Sequence, residues 1–190
     1  MSPRAGLGRG KIVTAAAQIA DEHGMEGVTL AALAAKLGVR PPSLYNHING
    51  QAGLRTLLAV HGVKLLYEAL ASTSLGLSGN EAVLAMGKAY AEFAKQHPGL
   101  YEVTLQAPDE EHAELIEEGE RLLNLIVAVL KPYQLGPNGE LHAVRGFRSI
   151  LHGFASLEQK GGFGIPLDVS ESLSATLSAF LAGIDRFREQ

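Results

Sequence analysis

Residues 29–38 limit this chain's fold more than any other stretch. Leu30-Ala31-Ala32-Leu33-Ala34-Ala35-Lys36-Leu37 is strong helix-forming text. Thr29 stands at the N-cap position, and Gly38 follows where a helix can end on a left-handed residue. The helix is therefore short and bounded at both ends. Pro41 and Pro42 are tolerated in the first turn of a helix, where no amide donor is needed. They predict a second short helix, Ser43 to Ile48, broken by Asn49-Gly50. Two short helices joined by a glycine turn make a helix-turn-helix. Ala34 is small where the second helix must pack closely, and Leu33, Leu37, Val39 and Leu44 anchor the turn. Pro42, Ser43, Tyr45, Asn46 and His47 then face outward, short or planar enough to reach a base edge or a phosphate.

The rest of the chain reads as helix too. Ile12, Ala16, Ile19 and Ala20 form one apolar stripe of a helix that begins at Lys11 and ends at Gly24. A long helix is expected over 51–72, another reaching Gln96, and a short one after His97-Pro98-Gly99. Pro108-Asp109-Glu110-Glu111 opens a helix to about Leu130, with acids in its first turn as the macrodipole favours. Residues 136–139 and 161–166 read as loops. Helices are expected over 140–160 and 169–188. No period-2 alternation suggests a sheet. The expected fold is all-α, with about nine helices: a helix-turn-helix domain over 1–50 and a larger helical bundle over 51–190.

The 140–160 helix carries Val144, Phe147, Leu151 and Phe154, with Ile150 and Leu157 beside them, so it is apolar on more than one face. Leu173, Leu177, Phe180, Leu181, Ile184 and Phe187 form one stripe on the last helix. A surface helix of a monomer shows a single stripe. A four-helix dimer interface is one reading, using Ile150, Phe154, Leu157, Leu173, Leu177, Phe180, Leu181 and Ile184. A central helix of a single bundle is the other.

Charge is split along the chain. Residues 1–64 carry seven Lys or Arg against three Asp or Glu, a net +4, whereas 65–190 carry nine against seventeen, a net −8. A basic head that meets a polyanion and an acidic remainder that avoids it fit this asymmetry. The chain has no cysteine, which excludes disulfides, thiolate metal sites and a cysteine nucleophile. Its longest run without Lys, Arg, Asp or Glu is the fourteen residues Pro41 to Leu54, short of the roughly 20 apolar residues of a membrane span. No signal peptide is evident, and cytoplasm is the default compartment.

Chemistry has little to stand on. Gly6-x-Gly8-x-Gly10-Lys11 lacks both the strand and the spacing of a phosphate loop. Asp109, Glu110, Glu111, His112, Glu114, Glu117 and Glu118 read as a solvated acidic helix start rather than a metal cluster. No nucleophile elbow or His-Glu-x-x-His is present. No cofactor or metal is expected.

Five separated blocks fall together in order and spacing. They are Arg9-Gly10-Lys11-Ile12-Val13-Thr14-Ala15-Ala16, Gly24 with Gly27-Val28-Thr29-Leu30, Leu33-Ala34, Leu37-Gly38-Val39, and Leu44-Tyr45-Asn46-His47-Ile48. Over roughly residues 9–58 the chain resembles the DNA-binding domain of the TetR family of bacterial transcription regulators. The resemblance implies an all-helical homodimer that grips double-stranded operator DNA with its N-terminal helices. It also implies a C-terminal domain that binds a small molecule and dimerises through its last two helices. The run Arg145 to Glu158, with Leu151-His152-Gly153-Phe154, looks like the family's His-Gly-containing C-terminal subgroup, with Arg148 where that subgroup tends to carry tryptophan.

By matching position, the DNA-binding residues would be Arg9, Lys11, Thr29, Arg40, Pro42, Ser43, Tyr45, Asn46, His47 and Gln51. Gln51 replaces a usual phosphate-gripping lysine, and Ala31 stands where some members carry an arginine. Arg4, Arg9, Lys11, Lys36, Arg40 and Arg55 would have to supply the charge. For the effector, His61, Tyr90, Tyr101, Arg148 and His152 are the polar candidates, and Met86, Phe93, Leu122, Ile126 and Phe147 candidate walls. A plain core role fits each wall residue equally well, and His152 reads first as a satisfied core or interface histidine. The expected function is a ligand-responsive regulator, a repressor released from a near-palindromic operator by a small molecule. A regulator without an effector and an all-α enzyme are the alternatives.

Overall fold

The computed structural model describes residues 7–106 and 112–188. Arg4 and the acidic opening at 108–111 lie outside the described residues. Eight α-helices follow one another: α1 Arg9–Gly27, α2 Leu30–Leu37, α3 Gly50–Ser74, α4 Gly79–Gln96, α5 Pro98–Val103, α6 Ala113–Leu130, α7 Pro137–Gln159 and α8 Val169–Ala182. Three 3₁₀ turns, Pro41–Ser43, Lys131–Tyr133 and Ile184–Phe187, lie between or after them, and no strand occurs among the described residues. The fold is all-α.

Three boundaries differ from expectation. The second helix of the helix-turn-helix is a 3₁₀ turn followed by hydrogen-bonded turns rather than an α-helix from Ser43. Ser43 N–H donates to Arg40 O at 2.9 Å and Leu44 N–H to Pro41 O at 3.0 Å, so the prolines start the coil with i→i+3 bonds. Gly136 takes φ 79°, and α7 starts directly at Pro137 where a loop was expected. At the C-terminal end α8 stops at Gly183, and the last apolar residues continue as a 3₁₀ turn.

The chain divides into two compact units, Met1–Val63 with His97–Ile116, and Lys64–Gln96 with Glu117–Gln190. The division falls inside α3 and α6. In the first unit, α1 buries Ile12, Ala16, Ile19 and Ala20, the stripe legible in the sequence. Val28, Leu33, Leu44, Ile48, Leu54, Leu58, Leu100 and Tyr101 are buried with them. Gly24 takes φ 71° and kinks α1 before its last turn, a conformation costly for any residue with a Cβ. Helix α5 packs on α1. Asp21 of α1 accepts from Gly99 N–H and Leu100 N–H, both at 3.1 Å, so a side chain from another helix satisfies the first amides of α5. Its second oxygen lies 2.9 Å from His97 Nδ1.

The second unit is a bundle of α4, α7 and α8 with the C-terminal parts of α3 and α6. Met86, Tyr90 and Phe93 of α4, Phe147 and Leu151 of α7, and Leu173, Leu177, Leu181 and Ile184 at the C-terminal end are buried. Leu173, Leu177, Leu181 and Ile184 were expected at a partner interface. They belong to the chain's own core instead: α8 lies against α4 and α7, and a Cβ on Gly87 of α4 would come 2.4 Å from Leu177 Cδ1. One apolar stripe can be buried by the same chain or by a second one, and periodicity does not distinguish them. Lys131 Nζ reaches both oxygens of Glu140, at 3.0 and 3.1 Å, and ties the end of α6 to the start of α7.

Candidate nucleic-acid interface

The helix-turn-helix is fixed by local hydrogen bonds. Thr29 Oγ1 accepts from Ala32 N–H at 3.1 Å, an N-cap that satisfies one of the orphan amides of α2. The bond uses an oxygen lone pair and leaves the hydroxyl hydrogen to donate to another acceptor. At the other end Gly38 takes φ 66° and ψ 31°. Val39 N–H then donates to Ala34 O at 3.0 Å and Gly38 N–H to Ala35 O at 3.2 Å, the paired bonds of a Schellman ending. The chain leaves α2 at an angle that only this left-handed residue supplies cheaply.

Beyond the turn, burial alternates in a way that aims one face outward. Leu44 is fully buried and Ile48 nearly so, which nails the segment to the head. Between and before them Pro42, Tyr45, Asn46 and His47 are exposed, Tyr45 at 59%. Ser43 is half-buried. Asn46 and His47 add hydrogen-bonding groups and Tyr45 a hydroxyl on a large ring. Arg40 and Lys11 are exposed on the same unit, as is Arg55. Lys36 Nζ is 3.4 Å from Glu22, an exposed pair that contributes little to stability.

Two expected phosphate contacts have partners inside the head. Gln51 Nε2 donates to Val28 O, linking the start of α3 to the α1–α2 connection. Arg9, at the first turn of α1, has its guanidinium 3.1 Å from Glu114 at the start of α6. Arg9 and His47 line one cleft of about 500 Å³, together with Asn49, Thr56 and His112. Across it Thr56 Oγ1 and His112 Nε2 are 3.1 Å apart. Nothing local in the sequence signals the partners of Glu114 and His112.

The expected effector residues are sorted between the units. Met86, Tyr90, Phe93 and Phe147 are buried in the second, where Ile126 and His152 are half-buried and Arg148 is exposed. His61 and Tyr101 belong to the first unit. Glu118, expected to be solvated, has a side chain only 12% exposed; one oxygen has no hydrogen-bond partner, though Lys64 and Arg121 lie 3.6 Å away. Arg121 in turn covers the Tyr67 ring at 4.0 Å. Of the expected dimer residues not already placed in the core, Ile150, Phe154 and Phe180 are half-buried and Leu157 is exposed. Among the described residues no group of three or more His, Asp or Glu is arranged to hold a metal. No described helix is long and apolar enough to cross a membrane.

Residues 12–54 match the family model described as bacterial regulatory proteins, tetR family, and residues 83–180 match a tetracyclin repressor-like C-terminal domain. The chain belongs to the TetR family. It is 42% identical over 185 residues to the uncharacterised HTH-type transcriptional regulator YobS of Bacillus subtilis, covering 97% of this chain and 96% of that one. Among solved structures, a protein of unknown function from Rhodococcus sp. RHA1 superposes with a TM-score of 0.81 at 23% identity, over 96% of this chain and 98% of that one. A TetR variant from Acinetobacter baumannii AYE in complex with minocycline superposes at 0.73 and 18% identity, over 97% and 100%. This TetR-family chain is thus a DNA-binding transcriptional regulator and not an enzyme.

Proposed function

We propose that this regulator is a dimeric repressor that binds a near-palindromic operator and is released by a small molecule. The single observation behind the DNA-reading part is the exposed set Pro42, Tyr45, Asn46 and His47 carried on buried Leu44 and Ile48. Each such segment would enter a major groove, with Arg9, Lys11, Arg40 and Ser43 positioning the head against phosphates and Thr29 serving as the cap. In a two-fold dimer the half-sites would lie about one helical turn, ~34 Å, apart or somewhat more. Gln51 contributes by holding the start of α3 rather than by gripping the backbone.

For the effector, Met86, Tyr90, Phe93 and Phe147 supply apolar and aromatic walls, with Ile126 and His152 at the margin. A neighbour of the same fold is in complex with minocycline, which supports a small-molecule effector. Dimerisation would use the outward side of α7 and α8, through Ile150, Phe154, Leu157 and Phe180, since the remaining expected positions are already buried. An effector acts only by preferring one spacing of the two heads over the other. The test is selection of bound duplexes from a random pool, followed by a screen for compounds that release the enriched sequence. Enrichment of a two-fold motif and a releasing compound are expected. A pool that stays random contradicts the DNA-reading part, and an asymmetric motif contradicts the dimeric part.

A further inference from the structure

Arg9 occupies two roles in one place. It lines the same cleft as His47 of the reading segment, which brings its cation beside the surface that meets DNA. The same guanidinium is held at 3.1 Å by Glu114, and both side chains remain about half exposed, at 59% and 46%. An Arg–carboxylate pair and an Arg–phosphate pair use the same donors in the same fork geometry. Glu114 takes Arg9 Nη2, so a phosphate gripped by the fork that contains Nη2 must displace it. The pair is solvated enough to exchange, because an exposed ion pair is held only weakly.

We infer that Glu114 is an affinity-setting residue for DNA binding: its carboxylate stands in for a backbone phosphate on Arg9, and DNA must displace it. This inference rests on the DNA-reading role of residues 42–47. It differs from simple repulsion of DNA by an acid, because the effect of Glu114 passes through Arg9. The position of Glu114 adds a consequence. It lies in the first turn of α6, whose later residues belong to the second unit, so any shift of the start of α6 changes how available Arg9 is. His112, hydrogen-bonded to Thr56 of α3, tethers the chain just before that turn.

The experiment is a double-mutant cycle on the full chain, with a duplex enriched from a random pool by the wild-type protein. Affinity is read by fluorescence anisotropy over a series of salt concentrations. Glu114→Gln should tighten binding about two- to fivefold, the range of an exposed ion pair, and leave the salt slope nearly unchanged, because Arg9 meets its phosphate in both proteins. With Arg9→Ala already present, Glu114→Gln should change affinity less than about twofold, the usual reach of a solvated charge that has lost its partner. Arg9→Gln repeats the cycle if Arg9→Ala does not fold by circular dichroism. No change on Glu114→Gln, or an equal gain with and without Arg9, overturns the inference while leaving the DNA-reading role standing. Failure of the wild type to enrich any duplex removes both.

Discussion

Gly99 of α5 lies against Ala20 of α1 so closely that a Cβ added at Gly99 would be 2.1 Å from the Ala20 carbonyl oxygen. The obstacle is backbone, so it does not swing aside. Helix α5 reaches α1 only because residue 99 has no side chain. Gly99→Ala should therefore destabilise the first unit by about 1–3 kcal/mol or more, the range for overpacking a well-filled core. A thermal melt checks this, with a fall of several degrees as the expected result.

Asp21 fastens the same contact from the polar side. Its carboxylate takes two backbone amides of α5 and faces His97. Asp21→Ala leaves those amides without their acceptor and should cost about 1–2 kcal/mol, as loss of a helix cap does. Asp21→Asn keeps one oxygen acceptor and should retain part of that stability. Urea unfolding of the three proteins should rank them wild type, Asn, Ala.

These two relationships mark where the sequence stops being readable. Gly38, Thr29 and the stripe Ile12–Ala16–Ile19 were legible because their causes are local: a cap, a left-handed turn and a helical period. Asp21 and Gly99 are 78 residues apart, so neither announces the other. The residues after Arg40 suit an α-helix, yet the two prolines open the segment with 3₁₀ bonds. Its outward residues were still identified, since burying Leu44 and Ile48 forces the others out in either geometry. Gln51 and Arg9 were seen as donors but not as donors with partners inside the head.

Gly38→Ala tests the turn itself. At φ 66° a side chain costs steric energy that glycine avoids, so the variant should lose about 1–2 kcal/mol. DNA affinity should fall beyond what stability explains, because the turn sets the angle of the reading segment. Binding measured well below the melting temperature separates the two effects.

Leu177 is buried by the chain's own helices rather than by a partner. Leu177→Ala should cost about 2–5 kcal/mol through the cavity it leaves. Leu157→Ala, on an exposed position, should leave the melting temperature of the subunit nearly unchanged and weaken self-association instead. Sedimentation of both variants alongside their thermal melts distinguishes core from interface.

The central claim is that the exposed side chains of residues 42–47 read DNA. Its most direct test is binding of the Tyr45→Ala, His47→Ala double variant to a duplex enriched by the wild-type protein. Both side chains are exposed, so the fold should survive with an unchanged circular dichroism spectrum and melting temperature. Affinity should fall by about tenfold or more, the scale of losing one or two base or backbone contacts. A correctly folded double variant that binds the enriched duplex as tightly as the wild type would contradict the account.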